Sequence, residues 1–354
     1  MSKNFKGFKK FRKKAVALAL TSLLAVGVLA GCGDTDKSDN STNDGGADGE
    51  KTEVVNIGIS QYLEHGALDS ARDGFIAALE ENGYKDGEKV KIDLKNAQGD
   101  PANTQTIAQG FVADNKDLLL GIATPSAQSL YNGTKDIPIL ITAITDPVDA
   151  GLVKSLESTE TNVTGTSDAL DLDLQLKLLK DLYPEAKKVG VVYTTGEPNS
   201  EIQVKELKEK APGFGLEVVL AGVSVSNDVV QSLESIIDDV DVFYVPTDNI
   251  VVNAMPLIYQ KTIAKQIPII GSERGQVENG ALATEGIDYY ELGYQTGLMA
   301  VEIIEGKDPK NMPVKTANEF ALTINEDTVK ALGIELPEAL KKRAEMIGSV
   351  KGDK

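Results

Sequence analysis

Several residue types are scarce in this chain of 354 residues. It has one cysteine, one histidine and no tryptophan, and its 36 Lys and Arg compare with 54 Asp and Glu. A single cysteine cannot form an internal disulfide, and one histidine cannot form a His/Cys cluster that holds zinc. The acidic balance disfavours nucleic acid and anionic lipid as partners. Stability must therefore come from a hydrophobic core, for which the chain is long enough.

Sequence motifs for catalysis are also missing. His65 is the only histidine, so a Ser-His-Asp or Cys-His arrangement would have to include it. No serine lies in a G-x-S-x-G context, and no P-loop or G-x-G-x-x-G follows a strand pattern. We therefore expect that the protein is not an enzyme and that it uses no cofactor and no metal.

Residues 1–31 have the layout of a secretory signal. Met1 to Lys14 carry seven Lys or Arg and no acid, and Ala15 to Gly31 are 17 apolar or small residues. That run is shorter than the roughly 18–20 residues a membrane-spanning helix needs. The only cysteine, Cys32, follows Leu29-Ala30-Gly31 directly. The pattern predicts a bacterial lipoprotein signal, cleaved before Cys32, with lipid such as palmitate on that cysteine.

The predicted anchor fixes the location of the protein. An uncleaved anchor helix is the alternative to lipidation, and either reading places the protein at the cell membrane, on its extracytoplasmic face. The segment Gly33 to Thr52 contains one apolar residue, Ala47. Such a composition cannot form a core, so residues 32–52 are predicted to be the lipidated cysteine and a disordered tether.

From Val54 onward, apolar runs alternate with helix-period segments. Because strands and helices alternate with short links, the pattern predicts an α/β fold with parallel sheets. The order repeats after about residue 187, which predicts two Rossmann-like lobes. Strands are predicted at 54–60, 89–97, 117–123, 137–144, 187–195, 216–223, 241–246 and from 267. Helices are predicted at 68–84, 101–115, 201–211, 226–240, 289–306 and 327–333, with an extended stretch at 315–325.

The carboxyl ends of the predicted strands carry polar side chains. In open α/β sheets ligands bind at this edge, so these residues are the candidate ligand site. Ordinary capping or turn chemistry is the alternative for any one of them. The candidates are Gln61, Tyr62, Glu64, His65, Thr124, Pro125, Ser126, Ala127, Thr145, Asp146, Tyr193, Asn199, Thr247, Asp248, Asn249, Ser272 and Glu273.

A zwitterion with an apolar side chain would suit this set. Thr124 is predicted as an N-cap and Pro125 as the first helical residue, so the following turn could bind a carboxylate. An ammonium group would pair with a carboxylate such as Asp248. The apolar part would pack on Tyr62 and Tyr193.

Several motifs together resemble a known family. They are IGISQYLEHGALDSARDGF, NAQGDPANTQTIAQGFV, GIATPSAQSL, ITAITDPVDAGLV, NVTGTSD, YVPTDNIVV and DYYELGYQTG, spread between Val54 and Leu336. They are similar to the substrate-binding lipoproteins of ABC importers, in a group named for tryptophan and tyrosine uptake. The resemblance implies the type I periplasmic-binding-protein architecture, with three interlobe crossovers near Thr166, Gly286 and Ala317.

The same resemblance implies the domain limits and the function. The N-terminal lobe would comprise 53–166 plus 287–316, the C-terminal lobe 167–286 plus 317–346, and 347–354 would be a tail. The protein would be a monomer that captures an aromatic amino acid between its lobes and delivers it to a permease with a cytoplasmic ATPase. The alternatives are a sugar or other small solute as ligand, a sensor in place of a transport protein, and an extracytoplasmic enzyme on the same scaffold.

Overall fold

The computed structural model of the protein describes residues 54–317 and 320–348. The predicted signal, Cys32 and the tether lie outside these residues and stay predictions. Within the described ranges, no helix combines the length and the apolar character needed to cross a membrane.

The first part of the described chain alternates strands and helices. Its elements are β1 (Val55–Gln61), α1 (Gly66–Glu81), β2 (Val90–Asn96), α2 (Pro101–Ala113), β3 (Leu118–Ile122), α3 (Thr124–Gly133), β4 (Ile139–Ile144) and β5 (Val163–Ser167).

The middle part repeats this plan. Its elements are α4 (Leu172–Leu182), β6 (Lys188–Thr194), α5 (Pro198–Lys210), β7 (Glu217–Val223), α6 (Val229–Ile236), β8 (Val242–Val245), α7 (Asn249–Asn253), α8 (Met255–Ala264), β9 (Ile269–Gly271), α9 (Arg274–Glu278) and β10 (Ala283–Gly286). The last part contains α10 (Tyr289–Ile304), β11 (Lys315–Thr316), β12 (Ala321–Asn325), α11 (Glu326–Leu332), α12 (Glu338–Arg343) and β13 (Glu345–Ile347).

The strands form two sheets, one in each lobe. The first sheet has the order β11-β5-β4-β3-β1-β2, and the second has the order β13-β12-β10-β9-β8-β6-β7. All neighbouring strands are parallel except β10 and β12, which pair antiparallel. The chain passes between the sheets after β5, after β10 and after β11. The two-lobe α/β fold and its three crossovers agree with the sequence-based prediction.

Each sheet is covered by apolar side chains on both faces. Leu118 and Leu120 of β3 point into one buried cluster, and Leu119 of the same strand points into another. In the second lobe, Tyr244 and Phe243 of β8 likewise point into two different buried clusters. This arrangement explains why β3 reads as a continuous apolar run, since both faces of a doubly wound sheet are buried.

Helix α10 attaches the late part of the chain to the first lobe. It packs against α1 so closely that glycine is required at the contact. A Cβ placed on Gly293 would lie 1.8 Å from the carbonyl oxygen of Ala71, and one on Gly74 would lie 2.0 Å from that of Tyr290. The packing fixes the start of α10, and with it Tyr289, at the cleft between the lobes.

Some predicted elements differ from the structure at their ends. The helix predicted at 226–240 is reduced to α6, with a 3-10 turn on each side, and α5 begins three residues earlier than predicted. The pattern did not identify β5, α4, α7 or α8. In β5 only Val163 is strongly apolar, so the hydrophobic signal of a buried strand is weak there.

Candidate ligand site between the lobes

A small cavity lies where the carboxyl ends of the two sheets face each other. Its volume is about 20 Å³, enough for little more than one water molecule. Both lobes contribute to the lining, which consists of His65, Ala67, Leu68, Ala143, Thr145, Asp168, Asn199, Thr247, Asp248, Asn249, Val252, Glu273 and Tyr289. We call this the first cavity.

Polar side chains of the two lobes meet directly around the first cavity. His65 Nε2 donates a hydrogen bond to Asn249 Oδ1 across the cleft at 3.2 Å. The hydroxyls of Thr145 and Thr247 lie 3.3 Å apart, also across the cleft. These contacts require that the lobes are close together, so the structure describes a closed form.

Asp168, directly after β5, is the carboxylate of this lining that has an oxygen without a partner among the described residues. It is 2 % exposed, and Tyr289 donates its hydroxyl to Oδ2 at 2.5 Å. Oδ1 is also buried but has no hydrogen-bond partner among the described residues, although the Thr145 side chain is near. Burial raises the pKa of Asp168, against the effect of the Tyr289 hydrogen bond. A buried acceptor without a partner is costly, which points to a donor from outside the chain.

Two further side chains present unpaired buried atoms. Asn199 donates its amide to Thr247 O at 2.9 Å, while its Oδ1 has no partner among the residues described. His65 Nδ1 is in the same situation, and burial lowers the pKa of this histidine. Because the described lining includes three carboxylates and neither Lys nor Arg, the first cavity favours a positively charged group.

Asp248 lines the first cavity but is occupied by its own lobe. Its carboxylate accepts hydrogen bonds from Thr194 N (2.5 Å), Thr194 Oγ1 (2.8 Å), Ser200 Oγ (2.8 Å) and Val251 N (2.9 Å). Four donors fill the acceptor sites of a carboxylate. Burial raises its pKa. Asp248 therefore caps α7 and ties it to β6, and it has no acceptor site left for the ammonium role predicted from the sequence.

Glu197 lies behind the cavity and positions two of its asparagines. Its Oε2 accepts from Asn199 Nδ2 at 3.1 Å and from Asn249 Nδ2 at 2.6 Å. Burial, and then the nearby Asp248 charge, raise the pKa of Glu197. With the two amide groups held in this way, the Oδ1 atoms of Asn199 and Asn249 are left for other partners.

Glu273 is the third carboxylate of the lining. It is the N-cap of α9 and accepts hydrogen bonds from Gly275 N at 2.5 Å and Gln276 N at 2.7 Å. Burial raises its pKa to about 7, although both hydrogen bonds act in the opposite direction.

A second cavity shares Thr145 with the lining of the first. Its volume is about 110 Å³, larger than the first. We call it the second cavity; it is lined by Thr145, Asp146, Ala169, Leu170, Leu172, Ile202, Gln203, Glu206 and Tyr244.

The backbone at the cleft is unusual at two alanines. Ala123, after β3, has φ 73°, and Ala143, in β4, has φ 58°. The pairing of β4 with β5 shifts register between Ile141 and Ile144, around the second of these. Left-handed conformations at residues other than glycine are costly and often occur at ligand sites. The register shift in β4 places Ala143 in the lining of the first cavity.

The structure divides the candidate residues into two groups. Those that line the first cavity are His65, Thr145, Asn199, Thr247, Asp248, Asn249 and Glu273, and Asp146 lines the second. Those that line neither are Gln61, Tyr62, Glu64, Thr124, Pro125, Ser126, Ala127, Tyr193 and Ser272. For all of them, contact with ligand stays a prediction.

Several of the residues outside the lining have other partners. Tyr62 donates its hydroxyl to Gly99 O within the first lobe, and Tyr193 packs against the core of the second. Gln61 donates to Asp69 at 2.8 Å, and Ser272 accepts from Gln276. Glu64 is exposed. The two tyrosines expected to hold an apolar side chain thus line neither cavity.

The prediction for the start of α3 was wrong by one residue. The N-cap is Ala123, without a side-chain hydrogen bond, and Thr124 is the first helical residue. The left-handed turn at Ala123 takes the capping position, so the Thr124 hydroxyl caps nothing and is buried without a partner among described residues. Ser126 bonds to Ser60 at 3.2 Å instead of facing a cavity.

Sequence reasoning missed five polar residues that line the cavities, Asp168, Tyr289, Gln203, Glu206 and Tyr244. Asp168 follows β5 as Thr145 follows β4, so the rule about strand ends would have found it had β5 been recognised. Tyr289 begins a helix that was predicted at that residue. Gln203 and Glu206 lie inside a helix and Tyr244 inside a strand, where the rule does not apply.

The family follows from comparison with known proteins. Residues 56–347 match the family model described as ABC transporter substrate binding protein. The chain belongs to this family. Its members bind solutes for ABC transporters, so the chain is a binding protein and not an enzyme. Among the described residues, no group of three or more His, Cys, Asp or Glu could hold a metal ion.

One named relative and two solved structures are similar to the chain. A "Tyrosine-binding protein" from Clostridioides difficile (strain R20291) is 50% identical over 341 residues, covering 96% of this chain and 97% of the relative. A ligand-free, open structure of a substrate-binding protein with adhesive properties from Clostridium difficile is 50% identical, with TM-score 0.65, and covers 84% of this chain and all of that one. A structure in complex with L-Trp from Streptococcus pneumonia is 37% identical, with TM-score 0.81. The match covers 83% of this chain and 99% of that one.

The two structural matches differ in an informative way. The less identical L-Trp complex superposes better than the more identical open structure. Sequence divergence cannot explain this order, but a difference in lobe arrangement can. The lobes of this substrate-binding protein are therefore arranged more as in the complex, consistent with the direct contacts across its cleft.

Proposed function

We propose that this substrate-binding protein captures an aromatic amino acid by its ammonium group in the first cavity. The observation that carries the proposal is the Oδ1 of buried Asp168, which has no hydrogen-bond partner among the described residues. The described lining around it includes three carboxylates and neither Lys nor Arg. An ammonium has three donors and no acceptor, and the neighbouring unpaired Oδ1 of Asn199 offers a second acceptor.

The aromatic side chain is supported by the relatives. One with half of its residues identical is named for tyrosine, and the structure that superposes well contains L-Trp. The cleft of this chain closes through polar contacts between lobes, which a ligand held by both lobes would stabilise. The first cavity holds little more than one water in the closed form, so the ligand has to enter while the lobes are apart.

Calorimetric titration with matched ligands tests the ammonium claim. L-Tyrosine and L-tryptophan should bind to the protein from residue 53 onward, after unfolding and refolding to remove carried ligand. N-acetyl-L-tyrosine keeps the ring and the carboxylate but has no ammonium, so it should not bind measurably. Equal affinities for tyrosine and its N-acetyl derivative would contradict the proposal.

We also propose that the protein is anchored by lipid on Cys32 at the extracytoplasmic face of the cell membrane. The basic and apolar segments before the only cysteine support this. In a producing bacterium, the protein should be found in the membrane fraction and incorporate labelled palmitate. The Cys32→Ser variant should lose the label and appear in the soluble or culture fraction. Identical distribution of both proteins would contradict the anchor.

Delivery of the amino acid to a membrane permease completes the proposal. The protein would act as a monomer, and a cytoplasmic ATPase would drive transport. Deleting the gene for this protein from the producing bacterium should then reduce uptake of labelled tyrosine by the cells. Normal uptake by the deletion strain, together with normal binding by the purified protein, would favour a sensor over a transport component.

A further inference from the structure

The second cavity differs from the first in size and in chemistry. Its volume is about 110 Å³, and Ala169, Leu170, Leu172 and Ile202 form an apolar wall. For comparison, an apolar protein cavity of about 150 Å³ holds a benzene molecule. The second cavity is therefore of the right order for one aromatic ring, whereas the first is far too small.

Three hydrogen-bonded side chains, which we call the partition, belong to the linings of the two cavities. Gln203 donates to the hydroxyls of Thr145, at 3.4 Å, and Thr247, and its Oε1 accepts from Thr247 N at 3.2 Å. Thr145 belongs to the first lobe, and the other two belong to the second. Opening the lobes separates Thr145 from its two partners, so the partition exists only in the closed form. An amino acid that enters the open cleft can thus reach both cavities.

The second cavity also has a polar part. Tyr244 is 1 % exposed, and its hydroxyl has no hydrogen-bond partner among the described residues. Asp146 and Glu206 add carboxylates to the lining, which includes no Lys or Arg from the part of the chain that the structure describes. A buried hydroxyl without a partner is unusual, and these three groups together can accept a hydrogen bond from a donor on a ring.

We propose that the second cavity receives the aromatic side chain of the bound amino acid, while its ammonium occupies the first cavity. This inference rests on the proposed function. The ligand would replace Gln203 as the link between Thr145 and Thr247, and the far end of its ring would reach the polar part near Tyr244. Tyrosine and tryptophan carry a donor on the ring, and phenylalanine does not. The protein should therefore prefer tyrosine and tryptophan to phenylalanine.

Filling the second cavity tests the assignment. Ala169→Leu adds three carbons to the apolar wall and should weaken tyrosine and tryptophan binding about tenfold or more, because overpacking leaves no room for the ring. Ala113→Leu is the matched control, since Ala113 is exposed at the end of α2 and lines neither cavity. Calorimetry should give wild-type affinities for the control. Equal affinities for the two variants would overturn the proposal.

The Tyr244→Phe variant gives a second, independent readout. Removing a hydroxyl without a partner should leave the fold stable, so this variant decides the question if Ala169→Leu does not fold. Its affinity for tyrosine should fall about tenfold, and its affinity for phenylalanine should stay within about twofold of the wild type. A change that is the same for both ligands, or no change, would contradict the assignment.

Failure of this inference and failure of the proposed function give different results. If the wild-type protein binds no amino acid at all, the proposed function is wrong. If the wild type binds tyrosine normally and both variants bind it equally well, only the second cavity is misassigned.

Discussion

Asp168 is the residue on which the ligand site depends most. Its carboxylate is buried, is fixed on one side by Tyr289, and has one oxygen without a partner among described residues. Asp168→Asn keeps the shape and the Tyr289 contact but removes the charge. Binding of tyrosine should weaken by about 2 kcal/mol or more, roughly thirtyfold, because a buried ammonium would lose its counter-charge. Calorimetric titration of the variant measures the loss.

Asp171→Asn is the control for that variant. Asp171 lies three residues further on, is exposed, and caps α4 by accepting from Asp173 N at 3.0 Å. Asparagine caps helices as well as aspartate does, so tyrosine affinity and stability should both stay near those of the wild type. If Asp168→Asn binds tyrosine as tightly as Asp171→Asn, the ammonium lies elsewhere.

Glu273 should make stability depend on pH in an unusual direction. Burial raises its pKa from 4.5 to about 7, so the folded protein binds this proton more tightly than the unfolded chain does. Its contribution to stability is therefore full below pH 4.5 and is lost as the pH rises to about 7, with a slope of at most about 1.4 kcal/mol per pH unit. Urea unfolding of the wild type and Glu273→Gln from pH 4.5 to 8 measures this difference.

The test of Glu273 is how the difference in stability between the wild type and Glu273→Gln changes with pH. The free energy of unfolding of the wild type, relative to Glu273→Gln, should decrease steadily between pH 4.5 and 7. A difference that stays constant over this range would show that the carboxyl keeps its ordinary pKa in the folded protein.

For single residues, the sequence predicted which positions line the first cavity better than it predicted what each side chain does there. Strand ends led to His65, Asn199 and Thr247, which do line the first cavity. The role of Asp248 could not be read in the same way, because its four donors come from three separate segments of the folded chain. Asp168 was missed because the strand before it lacks the apolar signal that would have marked a strand end.

At the level of elements, the contact between α1 and α10 holds the late segment in the first lobe. Gly293→Ala would bring a Cβ to 1.8 Å from Ala71 O, a backbone atom that cannot move without shifting α1. We expect a loss of about 3 kcal/mol in the free energy of unfolding, at the upper end for overpacking. Urea unfolding at one pH provides the measurement.

A glycine-to-alanine substitution at an exposed helical position should change the free energy of unfolding in the opposite direction. Gly110 lies on the exposed side of α2, and a Cβ there would meet nothing within 4 Å. Gly110→Ala should stabilise the protein by about 0.5–1 kcal/mol, since alanine has the higher helix propensity. If both variants shift stability in the same direction, the close approach of the two helices is not as described.

The long apolar or amphipathic elements were predictable, and the short ones were not. β3, β4 and α10 were found close to their observed bounds because their hydrophobic patterns are strong. The short helices α7 and α9 begin after short loops that follow β8 and β9, and they are fixed by the buried caps Asp248 and Glu273. A cap is visible in a sequence as a possibility, but its burial depends on the tertiary structure.

For the whole molecule, the described structure is a closed two-lobe binding protein. The lobe plan was predictable because the order of strands and helices repeats along the chain. The degree of closure was not, since it depends on contacts between residues far apart in sequence, such as His65 with Asn249. The closed form in turn decides which residues line a cavity, which is why several candidates from strand ends lie outside it.

Titration of free L-tryptophan into the purified protein is the most direct test of the central claim. The protein contains no tryptophan, so fluorescence excited beyond the absorption of tyrosine comes from the added ligand alone. We predict a saturable change with one ligand per chain, reversed by excess tyrosine and shifted to roughly thirtyfold higher tryptophan concentration or more in Asp168→Asn. No change in fluorescence, or a change that tyrosine does not reverse, would contradict the claim that this cleft binds an aromatic amino acid.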